Sequence, residues 1–230
     1  GTGLPARSGE GIQWIHRSTA DGDLPVPNSG TQQTSSAVFD VDRNGVNDFV
    51  ITERTQAPAV VWYRRGADGW TKYTIESGPL HIEAGSDNHD VDGDGDLDFV
   101  AGGDWKENRV WWWENPYPDY KEAVPWKRHE IKNSGWPKHH DLIFGDFDGD
   151  GRDEIVYHAM VVDDDGKGLY STGWRHGDAM YVSDMYPDRP GLEVFTIHEN
   201  EDDTVRFRSP GAAMRDARTG QAIWTHSPGV

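Results

Sequence analysis

Carboxylates recur at a fixed spacing in this chain, and the spacing suits a metal ion. Asp40, Asp42, Asn44 and Asp48 lie in FDVDRNGVNDFV, and Asp90, Asp92, Asp94 and Asp98 in HDVDGDGDLDFV. Asp146, Asp148, Asp150 and Glu154 lie in GDFDGDGRDEIV. A hard cation such as Ca2+ takes about six to eight oxygens. Side chains at the first, third, fifth and ninth positions can wrap one ion, and a glycine at the sixth permits the sharp turn. The carbonyls of Val46, Asp96 and Arg152 supply the seventh position. Without a cation each loop crowds its carboxylates against no counter-charge. Three Ca2+ sites are therefore expected. A fourth copy, SDMYPDRPGLEVF, has Tyr186 at the third position and one extra residue before Glu193. A site around Asp184, Asp188 and Glu193 thus lacks the full donor set.

A second group of residues could move protons. His81, His89, His139, His140 and His176 all fall in the stretches leading into the acidic loops, with Lys138, Asp141, Arg175, Asp178 and Tyr181 among them. Imidazole titrates nearest neutral pH, which makes His a frequent general acid or base. A lone His beside an acidic turn is more often a hydrogen-bond partner. The pairs His139–His140 and Arg175–His176 stand out from that background.

These residues recur because the chain repeats. The acidic loops stand roughly 40 to 55 residues apart, a period typical of repeat architectures. The segments after the loops repeat too: VVWYRR (60–65) matches RVWWWEN (109–115), and GWTKYTIESG (69–78) matches PWKRHEIKNSG (125–135). Each unit reads as an inner strand, an acidic loop, a DFV or EIV strand, a Trp-rich strand and an outer strand. Four short strands in about 50 residues make the blade of a β-propeller. The expected fold is all-β, with about four four-stranded antiparallel blades over repeats near 31–78, 79–135, 136–173 and 174–226 of a single domain, 1–230. Trp62, Trp111 and Trp113 are expected between blades, with Trp112 pointing the other way. Residues 12–18 resemble an outer strand with no inner strands before it. The chain therefore reads as part of a seven- or eight-bladed ring, completed by the rest of a longer chain or by another chain; a closed four-bladed ring is the alternative.

Composition bounds the rest. Eleven Trp, eight Tyr and seven Phe exclude a disordered chain, although charged residues reach 27%. A net charge of −18 repels nucleic acid. No apolar run approaches the roughly 18 residues of a membrane span. Residues 1–30 show no basic stretch followed by an apolar one, so no secretory leader is read there. The absence of Cys removes disulfides and thiolate chemistry.

The acidic loops resemble the FG-GAP/VCBS repeat of integrin-like and bacterial propellers, over about 36–195. That resemblance implies the propeller and its calcium. DDDGKGLYSTGWRHGDAMYVSDMYPDRPGLEVFTIHE and RDARTGQAIW resemble the family 11 polysaccharide lyases, the rhamnogalacturonan lyases. The departures are Trp174 and Arg175, where small residues are expected, and Tyr181 and Tyr186, where His and Asp are expected. IEAGSDNHDVDGDGDLDFVAGGDWKENRVWWWENPYP and KHHDLIFGDFDGDGRDEIV are similar to propeller lyases that cut rhamnose–glucuronate linkages.

Both lyase resemblances imply an acidic, uronate-containing polysaccharide cleaved by β-elimination. The C5 proton becomes acidic only when the uronate carboxylate is neutralised, after which a base removes it and an acid assists the leaving oxygen. His140 or His176 as base, Arg175 or Lys138 as neutraliser and Tyr181 as acid would fill these roles, with His139 and His89 as further candidates. Calcium in the loops would place cations near the sugar. Such loops fill at millimolar calcium, so a secreted, extracellular protein is expected. A non-catalytic carbohydrate-binding propeller and a structural module are the alternatives.

Overall fold

The computed structural model describes residues 14–174, 177, 179–198 and 209–227. Among them there is no helix; the chain forms four antiparallel sheets, each a four-stranded meander from one contiguous stretch. The first holds β1 (Gln33–Phe39), β2 (Asp48–Glu53), β3 (Val60–Gly66) and β4 (Gly69–Glu76). The second holds β5 (Ile82–His89), β6 (Asp98–Gly103), β7 (Val110–Glu114) and β8 (Lys127–Lys132). The third holds β9 (Ile143–Gly145), β10 (Glu154–Tyr157), β11 (Met160–Val162) and β12 (Gly168–Ser171). The fourth holds β13 (Ala179–Ser183), β14 (Glu193–Ile197), β15 (Ala212–Asp216) and β16 (Ala222–His226).

The DFV and EIV segments show how the sheets stack. Successive strand residues face opposite sides. Phe99 packs toward the first sheet with Val50 and Trp62, whereas Val100 packs toward the third with Ile155 and Tyr157. Val156 then faces the fourth sheet, meeting Met180 and Val194. The second strands of the two middle sheets, β6 and β10, are therefore apolar on both faces because they are buried on both, whereas β2 and β14 leave Phe49, Ile51 and Phe195 half-buried and Ile197 exposed. Three hydrophobic clusters fill the three spaces between successive sheets.

The tryptophans follow the same alternation. Trp62, Trp111 and Trp113 are fully buried between the first and second sheets. Each contributes about 4–6 kcal/mol of transfer free energy by the area it buries, an upper estimate. Trp112 points the other way and stacks on His129 at 4.1 Å.

Candidate active site and acidic loops

The acidic loops join the first strand of each sheet to the second. Their ninth-position acids are the most firmly held: Asp48, Asp98 and Glu154 are at most 1% exposed. Asp98 accepts the amide hydrogens of Val91 (3.0 Å) and Asn115 (2.8 Å). Asp48 accepts the Arg65 amide (2.7 Å) and the Trp62 indole N–H (3.0 Å). One oxygen of Glu154 accepts the amides of Phe147 (2.6 Å) and Asp148 (3.2 Å). Glu193 makes the same clamp in the fourth loop, on the amides of Met185 (2.9 Å) and Tyr186 (3.1 Å). Burial pushes the Asp98 carboxyl up to about 7. Burial, reinforced by Asp94, Asp92 and Asp90, pushes Asp96 up to about 6.

The donors of two loops fit a hard cation. Carboxylate oxygens of Asp90, Asp92 and Asp94 lie within 4.8 Å of one another, as do those of Asp146, Asp148 and Glu154. Asp90 Oδ1 and Glu154 Oε1 are buried without a hydrogen-bond partner, acceptors that Ca2+ would satisfy. Asp150 Oδ1 accepts the Arg152 amide (2.9 Å), and the Arg152 guanidinium pairs with Asp164. The first loop shares the amide pattern of the other two and differs in its arginine partner. Asp40 accepts the amides of Asn44 (3.0 Å) and Gly45 (2.7 Å), Asn44 Oδ1 accepts the Val46 amide (2.8 Å), and Arg64 pairs with Asp42. That loop already holds a cation, in the form of an arginine. In the fourth loop Arg189 lies 3.8 Å from Glu193 and 4.0 Å from Asp216.

A different set of titratable groups gathers at the opposite end of the sheets. Arg54, just past β2, pairs with Glu83 of β5 and lies 3.6 Å from Asp104, just past β6. His81 Nδ1 is 3.3 Å from Asp104, and His140 Nε2 is 3.6 Å from Glu83. Glu83 and Asp104 are buried, which is tolerated only because each has cationic or imidazole neighbours. The segment 136–142 carrying His140 is pinned to the second sheet by backbone bonds from Lys138 to Asp104 (3.0 Å), His139 to Gly103 (2.9 Å) and Asp141 to Ala84 (3.1 Å). Lys138 takes a left-handed backbone, at φ 75°. Beside this segment opens a cavity of about 550 Å3, lined by Lys138, His140, Tyr157 and the indoles of Trp105, Trp136 and Trp174.

The other sequence candidates are dispersed. His139 is buried, its Nε2 3.2 Å from both the Asn108 carbonyl and Lys132 Nζ. Burial, then the nearby Lys132 charge, pushes it down to about 4, so it is a poor base near neutral pH. His89 sits at the acidic-loop end, stacked on Phe144 at 4.6 Å and 3.5 Å from Asp153. Tyr181 is 63% exposed, on the face of the fourth sheet turned away from the core that holds Met180 and Val182, and does not line the cavity. Arg175, His176 and Asp178 lie outside the described residues.

One expectation is corrected by this layout. β5 spans eight residues between the two ends, a distance of about 25 Å at ~3.3 Å per residue. Ions in the acidic loops would stand several screening lengths, each about 8 Å, from His140. Sequence reasoning missed Arg54, Glu83, Asp104 and the three indoles. The available signal was Glu83 itself, an acid opening a strand two residues after His81.

The fold of the described residues is all-β, and residues 90–157 match the model of the FG-GAP-like repeat. More particularly, residues 124–230 match the C-terminal domain of rhamnogalacturonan lyase family 11. The rhamnogalacturonan exolyase YesX of Bacillus subtilis (strain 168) is 49% identical over 106 residues, covering 43% of this chain and 16% of YesX. The rhamnogalacturonan endolyase YesW of the same organism is 52% identical over 85 residues, covering 37% and 13%. The crystal structure of the exotype lyase YesX aligns with a TM-score of 0.55 at 26% identity, over 84% of this chain and 38% of that one. The matched segments thus span less than a fifth of the length of these curated relatives, and the structural alignment spans 38% of YesX.

Proposed function

We propose that this chain forms part of an extracellular, calcium-stabilised β-propeller polysaccharide lyase, which cleaves a rhamnose- and uronate-containing glycan by β-elimination. The match of residues 124–230 to the lyase family supports the substrate class. The observation that carries the chemistry is the pair His140–Glu83, 3.6 Å apart, at the edge of a cavity that Lys138 also lines. In this reading the Lys138 ammonium meets the uronate carboxylate and makes the C5 proton acidic. His140 takes that proton, and the buried Glu83 carboxylate stabilises the imidazolium that forms. The C4–oxygen bond then breaks, leaving a C4–C5 double bond on the uronate, and the departing oxygen takes up a proton from the His140 imidazolium or from water. Ca2+ held by Asp90, Asp92 and Asp94 and by Asp146, Asp148 and Glu154 would fix the loops far from this chemistry. The propeller part of the proposal rests on the stacking of four meander sheets, with the first strands β1, β5 and β9 side by side.

The test is direct. Rhamnogalacturonan incubated with the protein should develop the ultraviolet absorbance of an unsaturated uronate. Binding without that absorbance would replace the enzyme with a carbohydrate-binding module.

A further inference from the structure

The one Asn–Gly pair of the sequence, Asn44–Gly45, falls in the first acidic loop, and both residues are exposed. An asparagine followed by glycine can react with its own main chain. The glycine amide nitrogen attacks the side-chain carbonyl carbon, and a glycine has no β-carbon to obstruct the approach. Such an attack is helped by a base at the proton that must leave and by a donor at the oxygen where charge develops. The loop supplies both. The Gly45 amide donates to Asp40 Oδ2 at 2.7 Å, so a carboxylate already stands on the departing proton. Asn44 Oδ1 accepts the Val46 amide at 2.8 Å, which polarises the carbonyl under attack. Gly45 holds a left-handed φ of 84°, and even an added β-carbon there would meet nothing within 4 Å.

The other two loops show that the product fits. Asp94 and Asp150 occupy the place of Asn44, accepting the amides of Asp96 (3.1 Å) and Arg152 (2.9 Å). Gly95 and Gly151 donate to Asp90 (3.0 Å) and Asp146 (3.1 Å), as Gly45 does to Asp40. Asn28 offers a contrast. It precedes Ser29, and its amide is tied at both ends, accepting from the Gly30 amide (2.9 Å) and donating to the Pro58 carbonyl (3.2 Å).

We propose that Asn44 is a self-modification site, which the first loop converts through a cyclic imide to aspartate or its β-linked isomer. Gly45 N bonds to Asn44 Cγ, the N–H proton passes through Asp40 to the departing amide nitrogen, and the Cγ–Nδ2 bond breaks to release ammonia. Water then adds to either imide carbonyl and opens the ring. The reaction uses only the chain and water, so it stands apart from the lyase reading. The chain gains one negative charge, and the first loop gains the acid that the other two already carry.

Ageing the full chain near neutral pH tests this, with charge followed by isoelectric focusing and the product located by peptide mass mapping. Conversion at Asn44 should run about ten- to a hundred-fold faster in the folded chain than in the urea-unfolded chain, at or below the low end of what a positioned base contributes. Asp40→Asn should remove most of that advantage. Asn44→Gln should not convert, because its imide needs a larger ring. Conversion no faster in the folded chain, conversion undiminished in folded Asp40→Asn, or mapping that puts the new acid at another asparagine would each overturn the proposal. If Asp40→Asn does not fold, the ratio between folded and unfolded wild type decides.

Discussion

Gly102 and His139 are in such close contact that a side chain at Gly102 has no space: its β-carbon would stand 2.5 Å from the β-carbon of His139. Gly85 does the same for the next turn, where a β-carbon would come within 2.4 Å of the Asp141 backbone. These two glycines let the 136–142 segment lie flat on the second sheet and so place His140 beside Glu83. Gly102→Ala should therefore cost about 1–3 kcal/mol, as overpacking does. Turnover per folded molecule should fall as well, because His140 moves with the segment. Denaturant titration and lyase assays on the same preparation measure both, and a stable, fully active variant would refute the positioning argument.

His139 should act on stability rather than on turnover. Its folded pKa of about 4 lies below the ordinary imidazole value of ~6.5, so the unfolded chain binds its proton first. The contribution is present above about pH 6.5 and is lost as the pH falls toward 4, a change of about 3 kcal/mol. His139→Gln should flatten that limb of the stability–pH curve while leaving turnover per folded molecule near wild type. A collapse of turnover with an unchanged curve would restore His139 as a catalytic candidate.

The division between what the sequence displayed and what it hid has a physical cause. The acidic loops are local: nine consecutive residues carry the donors, so type and spacing suffice to see them, and Asp90, Asp92 and Asp94 do converge. The alternation of Trp111, Trp112 and Trp113 is equally local and fixed their faces. The site at the other end is not local. Arg54, Asp104 and His140 come from three connections and Glu83 from β5, spread over two sheets and the start of a third, and only stacking brings them together. His89 and His140 looked equivalent because both flank inner strands, yet strand direction sends them to opposite ends.

The acidic loops give a pH signature that calcium should invert. Without an ion, Asp98 and Asp96 hold folded pKa values of about 7 and about 6, above the ordinary Asp value. Their contribution is full below about pH 4 and is lost as the pH rises through 6 and 7. Bound Ca2+ favours the ionised carboxylates and binds only the folded loop, stabilising it by about 2.7 kcal/mol at a hundred-fold excess over Kd. The gap in melting temperature between calcium- and EDTA-treated protein should therefore widen from pH 5 to pH 8. Superimposable curves, with no metal by elemental analysis, would remove calcium from the proposal.

Glu83 offers the sharpest separation of chemistry from folding. Its carboxylate is buried, pairs with Arg54 and lies 3.6 Å from His140 Nε2. Glu83→Gln keeps the shape but removes the charge that stabilises a protonated His140, so the imidazolium becomes harder to form. Turnover should drop by about ten- to a thousand-fold, up to the middle of the roughly hundred- to ten-thousand-fold range of general-base catalysis. His140→Ala should cost about a hundred- to ten-thousand-fold, and Lys138→Ala should raise KM for uronate glycans and lower kcat together. A merely structural Glu83 would instead lower the melting temperature and leave the turnover of the folded fraction near wild type. Measuring turnover per folded molecule alongside thermal unfolding for wild type, Glu83→Gln and His140→Ala decides between the two.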